Sequence, residues 1–323
     1  MEKSTHKVEV VRVKELITHP NANSLSIVRV FGFSVCVRTA DWNVGDMAAY
    51  IQPDSLVPTD RGEFSFLSDK NPYKVRAKKL RGVVSHGLLI PAPEGSTEGD
   101  DVAEQLGVTH YEPLTAIIMG TDNSKAPEGY HPNYDIDNWR RYSHLFEIGE
   151  EVIATEKIHG THARYCCVND EMFVGSHYNW KKEDPETLWW KVLEENPSIR
   201  TFCVHNPELT LYGEVFGSVQ KLQYGIGGGV AFLAFDILRD EDWVPFDETQ
   251  ELSDEWEIPW VPIIYRGPYT TDIDKHAEGA SLIPTARHLR EGIVVKPIKE
   301  RTSLEIGRVI LKIVSNDYLS KDY

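Results

Sequence analysis

The feature that most constrains this chain is a series of short apolar runs, each carrying charge at a set place. They read Glu156-Lys157-Ile158-His159-Gly160-Thr161, Tyr212-Gly213-Glu214, Phe232-Leu233-Ala234-Phe235-Asp236, Glu291-Gly292-Ile293-Val294-Val295-Lys296 and Leu311-Lys312. The later runs read as strands. If they converge, they bring together one lone amine (Lys157), the carboxylates of Glu214 and Glu291, and two further amines, Lys296 and Lys312.

That set suits an amine that attacks a phosphate beside a metal ion. A lysine ammonium has no lone pair to offer until desolvation or neighbouring cations depress its pKa. Lys296 and Lys312 would be such cations, and they would also neutralise an α-phosphate in its crowded transition state. Glu291 and Glu214 can hold the waters of Mg²⁺ or a ribose hydroxyl. Phe235 offers a flat face to a base.

The order and content of these runs resemble the covalent nucleotidyltransferases: RNA ligases, DNA ligases and mRNA capping enzymes. Most of that superfamily carries Asp where this chain has His159. His there, followed by Gly160-Thr161, resembles the RNA ligase 2 clade and the RNA-editing ligases. The resemblance covers roughly residues 134–319. It implies ATP and Mg²⁺ (or Mn²⁺) as cofactors, and three steps: a Lys157–AMP intermediate, transfer of AMP to a 5′-phosphate end, and closure by a 3′-hydroxyl. It also implies residue roles. Glu156 presents its backbone to the adenine edge, Glu214 takes the ribose, and Phe235 stacks on adenine with Asp236 following it. His159, Thr161 and His162 belong to the ATP site. Glu291 faces the metal, with Glu214 as a second metal-facing carboxylate, and Lys296 and Lys312 face the α-phosphate. Three positions depart from the pattern. His177 stands where Arg contacts nucleotide and RNA phosphate, Val314 replaces the second Lys of the last motif, and His159 cannot serve as the anionic group near the metal that the usual Asp provides. Thr161-His162 sits where the clade usually has Thr-Asn.

The first part of the chain has another character. Regularly spaced short strands with turn signals, from Val8–Val13 through Met47–Gln52, suggest a small barrel. His19-Pro20-Asn21-Ala22-Asn23-Ser24-Leu25 resembles the opening of OB-fold domains in tRNA-binding proteins. Lys78-Lys79-Leu80-Arg81-Gly82 resembles the matching segment of RNA ligases with an N-terminal OB module, the Deinococcus and Naegleria type. The expected fold is α+β: an OB-like β-barrel over 1–115, a linker or exposed loop over 116–134, and an adenylyltransferase domain of ATP-grasp-like antiparallel sheets plus helices over 135–323. Asp135–Leu145 and Pro185–Asn196 read as helices, the second with Trp189 and Trp190 on its apolar face. Gly225–Gly229 reads as a turn, and Asp247–Glu257 as solvated surface.

A net charge of −16 argues against a generic nucleic-acid coat protein. Against that background Lys74, Arg76, Lys78, Lys79 and Arg81 form a cluster without an acidic residue between them, which points to a phosphate-contacting surface. The resemblance adds His177 to the residues expected to bind nucleic acid. Cys36, Cys166, Cys167 and Cys203 form no Cys-x-x-Cys pair, so zinc is not expected. No apolar run is long enough to span a bilayer and no signal-peptide region opens the chain, so a reducing cytoplasm is expected. The expected partner is RNA or a mixed RNA/DNA nicked duplex, with no membrane and no protein partner inferred. Two competing functions remain: an mRNA-capping-type guanylyltransferase, and a non-catalytic tRNA-binding OB protein.

Overall fold

Residues 6–67, 70–111, 123–220 and 222–321 are described by a computed structural model. The chain divides into two compact units, Met1–Ile117 and Ile118–Tyr323.

The first unit is a set of short antiparallel strands, in keeping with the small barrel expected from the turn spacing and the OB-like domain implied by the resemblance. Met47–Ile51 pairs with Glu9–Arg12 on one side and Leu88–Pro91 on the other. Leu25–Val30 and Phe33–Arg38 form a hairpin. Its two-residue turn, Phe31-Gly32, has both residues left-handed (φ 47° and 78°), which matches the twist of the flanking strands. Side-chain alternation supplies two cores: Val8, Val10, Ala49 and Ile51 pack on one, Val11, Val13, Ala48 and Tyr50 on the other.

The second unit holds two larger sheets. The five-stranded sheet runs, in spatial order, Asp137–Asn138, Leu311–Val314, Gly292–Pro297, Glu151–Lys157 and Ile263–Pro268. The six-stranded sheet runs Trp180–Lys181, Glu171–Gly175, Thr161–Val168, Leu209–Gly217, Val230–Arg239 and Asp242–Trp243. The segment Ile158–Gly160 crosses from one sheet to the other. Each sheet has an outer apolar face. Val152, Ala154, Ile293, Val295, Leu311 and Ile313 pack against Trp139, Phe146 and Tyr269. Ala163, Tyr165, Leu211 and Val215 are covered by helices Leu188–Glu195 and Pro197–His205.

Two expectations need correction, a further helix appears, and the linker segment is placed in part. Asp135–Leu145 is not one helix: a short strand, a four-residue helix (Trp139–Tyr142) and a 3-10 turn (Ser143–Leu145) share it. The helix Pro197–His205, opened by its proline, follows the expected one directly. Asp247–Glu257 is mostly a helix, Phe246–Glu255, anchored by buried Phe246, Thr249 and Ser253. The expected linker falls partly on 116–122, outside the described residues. From 123 to 134 the chain is tied to the six-stranded sheet: Ser124 N donates to Trp180 O (2.9 Å), His131 Nδ1 bonds the Thr210 hydroxyl (2.7 Å), and the Tyr212 hydroxyl donates to Pro132 O (2.8 Å). No helix among the described residues is long and apolar enough to cross a membrane.

Candidate functional site

Register decides which charged residues can meet. Along Glu151–Lys157, residues 153, 155 and 157 share a face. Ile153 lies opposite Lys296, Thr155 opposite Val294, and Val294 opposite Lys312. Residues directly opposite one another point to the same side. Lys157, Lys296 and Lys312 therefore leave the five-stranded sheet on the face away from its apolar packing. On the other sheet His162 lies opposite Glu214. The register slips between Tyr212 and Gly213, because Tyr212 faces Asp236 while Gly213 faces Ala234. Phe235 is the extra residue of this bulge, and the bulge aims both Phe235 and Asp236 at the same cavity.

That cavity, about 120 Å³, is lined by Lys157, Glu156, His162, Glu214, Phe235, Asp236 and Lys296, with Tyr134, Ile136, Val261, Val294 and Ile310 among its walls. At roughly 30 Å³ per water it holds about four waters, or one flat ring. Phe235 and His162 stand with ring centroids 5.7 Å apart. Both ring nitrogens of His162 are buried without a hydrogen-bond partner, as is Glu156 Oε1, whereas Glu156 Oε2 accepts from Leu282 N (2.7 Å). Burial, then His177 and Arg164, pushes the His162 imidazole well below its ordinary pKa, so it is neutral at pH 7.

At the cavity's edge Lys157 Nζ donates to Glu291 Oε1 (2.6 Å). Glu291 Oε2 stands 3.4 Å from His159 Nδ1 and makes no well-aligned hydrogen bond. Burial pushes the Glu291 carboxyl up, but Lys157 and then His159 outweigh it, leaving its pKa at about 2. Glu214 goes the other way: burial, resisted by Lys157 and reinforced by Glu291, raises it to about 8. Its Oε1 accepts from Gly160 N (3.1 Å). The crossing turn is held at further points: His159 N donates to the Tyr224 hydroxyl (2.7 Å), and the Gln220 amide donates to Gly160 O. Gly160 is required by space, since a Cβ there would meet Val215 O at 2.1 Å.

The structure gives several of the expected site residues partners of their own. Lys296 lines the cavity, but its ammonium is held by Asp236 and Glu300 (3.1 Å), so it is not a loose cation beside Lys157. Asp236 is fully committed: Arg308 donates to it through two nitrogens (2.8 and 2.9 Å) and the Tyr134 hydroxyl bonds it as well. Burial opposes its ionisation, yet Arg308 and Lys296 hold its pKa far below the usual carboxylate range. Lys312 is the cation coupled to Lys157; burial first and Lys157 second lower its pKa. Thr161 and His159 lie beside the cavity and are not among its walls. His177 meets Asp135 (3.5 Å) and the edge of His162 (5.4 Å between centroids).

In the first unit Arg76, Lys78, Lys79 and Arg81 are exposed, whereas Val75 and Ala77 point inward. Lys74 is taken out of the cluster: it pairs with Asp54 (2.8 Å) and lies 3.4 Å over the Tyr111 ring. His19 bonds Leu80 O (3.1 Å) and Asn21 donates to Arg81 O (3.0 Å), so the opening turn steadies the basic hairpin.

Sequence reading missed Arg308, Tyr134, Tyr224, Gln220, Arg164 and Tyr318. Arg308 and Tyr134 meet Asp236 from outside every motif. Only the rule that a buried carboxylate needs partners could have announced them.

Residues 150–314 match the model of the RNA ligase family, and residues 7–92 match that of an OB-fold domain. No curated protein matches the chain. Among solved structures, a lysine-to-alanine variant of Naegleria gruberi RNA ligase with ATP and Mn is similar at TM-score 0.80 and 23% identity, over 96% of this chain and 97% of that one. The Naegleria gruberi RNA ligase with PPi is similar at TM-score 0.79 and 24% identity, over 98% of each chain. A variant with AMP and Mn is similar at TM-score 0.78 and 23% identity, over 96% of this chain and 97% of that chain. These likenesses extend the agreement in fold over both units.

Proposed function

The chain belongs to the RNA ligase family, and from that premise we propose that it is an ATP-dependent polynucleotide ligase that joins 3′-hydroxyl and 5′-phosphate ends, sealing nicks in RNA or mixed RNA/DNA duplexes. The observation that carries the reading is the Lys157–Glu291 pair at the edge of a cavity walled by Phe235, Glu214 and His162. An amine, a flat aromatic face and orphaned polar atoms meet there within one small space.

In the first step Lys157 Nζ, once deprotonated, attacks the α-phosphorus of ATP. An N–P bond forms, the bond to the β-phosphate oxygen breaks, and pyrophosphate leaves with the electron pair. In the second, a 5′-phosphate oxygen of the nucleic acid displaces Lys157 from AMP, and the amine regains a proton. In the third, the 3′-hydroxyl loses its proton, attacks that 5′-phosphorus and expels AMP. Glu291 orients the amine of Lys157. Phe235 packs on the base, with the neutral His162 and Glu156 Oε1 as the polar groups still open at its rim. Lys312 supplies charge toward the α-phosphate, and Asp236 with Arg308 fixes Lys296 at the cavity wall.

A divalent cation fits this site through Glu291, whose Oε2 lacks a good partner, and through Glu214 beside it. Among the described residues no group of three His, Cys, Asp or Glu side chains could enclose a metal. That suits Mg²⁺ or Mn²⁺ held by one or two carboxylates, with water and phosphate completing the shell. When bound, the ion neutralises charge developing on the phosphates. The exposed Arg76, Lys78, Lys79 and Arg81 are the surface proposed for the nucleic-acid backbone, with His177 at the cavity side.

Sealing of nicked duplexes, with each of the four RNA/DNA combinations flanking the nick, tests the assignment. ATP-dependent joining of at least one combination is expected. Charging by GTP and not ATP would favour the capping-type reading, and no covalent nucleotide at all would favour a non-catalytic OB protein.

A further inference from the structure

The C-terminal turn touches both members of the Lys157 site. Leaving the strand Leu311–Val314, Ser315 N donates to the backbone oxygen of Glu291 (2.9 Å). Three residues on, the Tyr318 hydroxyl lies 3.2 Å from His159 Nδ1. One short segment is thus bonded to the residue carrying the carboxylate and to the residue beside its free oxygen. The segment is itself fixed. Ser315 Oγ accepts from Tyr318 N (3.0 Å) and donates to Glu278 Oε2 (2.6 Å), while Glu278 Oε1 accepts from Asn316 N (2.8 Å). Tyr318 also packs against the apolar group of Ile158, Phe216, Tyr224 and Val261 beneath the crossing turn.

We infer that Tyr318 is a positioning residue for the nucleophile: through His159 it keeps Glu291 arranged for Lys157. The inference rests on the proposed Lys157 chemistry. His159 Nδ1 faces two oxygens, the Tyr318 hydroxyl at 3.2 Å and Glu291 Oε2 at 3.4 Å. The ring is shared by the two groups, so the Tyr318 hydroxyl fixes the imidazole beside the carboxylate whose other oxygen keeps Lys157. Without the hydroxyl the ring loses that anchor and can turn. Its neighbour Glu291 then shifts from the geometry that orients the amine. Tyr318 is not among the cavity walls, so its effect falls on the amine and spares nucleotide binding.

The test compares full-length wild type, Tyr318→Phe, His159→Asp and the double variant in single-turnover transfer of α-labelled ATP onto the protein, with thermal midpoints measured alongside. Tyr318→Phe should slow labelling about tenfold with the KM for ATP and the midpoint unchanged. In the His159→Asp background, where no imidazole reaches the hydroxyl, the same change should cost less than twofold. Labelling of Tyr318→Phe at the wild-type rate overturns the inference. So does a loss that appears in KM and midpoint together, or one equally large in both backgrounds. Should His159→Asp not label, the split between rate and KM in the single variant decides. Absence of label on the wild type would instead refute the proposed function.

Discussion

At the scale of single residues, the site is a contest between charges already paired and charges still open. Lys157 is the residue on which the proposed chemistry turns. Lys157→Arg should give no covalent nucleotide, because a guanidinium keeps its proton and is a poor nucleophile; labelled product from that variant would remove Lys157 from the role. His159→Asp should retain labelling, since a carboxylate there can take a metal water, and His159→Ala should lose most of it. Equal failure of both would assign the imidazole a task of its own. Glu214 makes a prediction about pH. Its folded pKa is about 8, whereas an unfolded Glu ionises near ~4.3. The unfolded chain sheds that proton first, so the contribution of Glu214 to stability is fully present below ~4.3 and is lost as pH rises toward 8. In thermal melts of nucleotide-free protein, Glu214→Gln should lose less stability than wild type between about pH 5 and 8. Parallel curves would contradict the raised pKa.

At the scale of elements, the site is a crossing between two sheets, and glycine permits the crossing. Gly160 packs against Val215 O and Gly292 against Ile313 O, each at 2.1 Å from where a Cβ would stand. Gly160→Ala must push strands apart, an overpacking cost of roughly 1–3 kcal/mol. Lowered thermal midpoint and lost labelling are expected together; an unchanged midpoint would mean that the turn yields easily. Much of this region was legible in the sequence. Lys157, Glu214, Phe235 and Glu291 could be named because their strands carry charge within apolar runs, and these residues do come together around or beside one cavity. The helix over Leu188–Glu195 was legible from its tryptophans, which are buried under the six-stranded sheet. What stayed hidden has common physical causes. The bulge at Phe235 is a matter of pairing register, which no single strand reveals. Arg308 and Tyr134 reach Asp236 from 72 and 102 residues away in sequence. The helix Phe246–Glu255 looked like solvated surface because only a narrow stripe of it is buried.

At the scale of the molecule, two units divide the proposed work. The second carries the nucleotide chemistry, and the first presents Arg76, Lys78, Lys79 and Arg81 on an otherwise acidic chain of net charge −16. Replacing Lys78, Lys79 and Arg81 together with Ala should weaken binding to nicked duplex and flatten its salt dependence, by about 0.9 in log–log slope for each phosphate that is no longer neutralised. Labelling of Lys157 should change less. An unaltered slope with normal sealing would make this hairpin a solvated edge and move the nucleic-acid path elsewhere. The central claim, that Lys157 takes AMP from ATP, is tested most directly by incubating the full chain with α-labelled ATP or GTP and a divalent cation, then mapping the labelled peptide. Label from ATP is expected on Lys157 and none on Lys157→Ala. Full labelling of the alanine variant, or transfer from GTP and not from ATP, would contradict it.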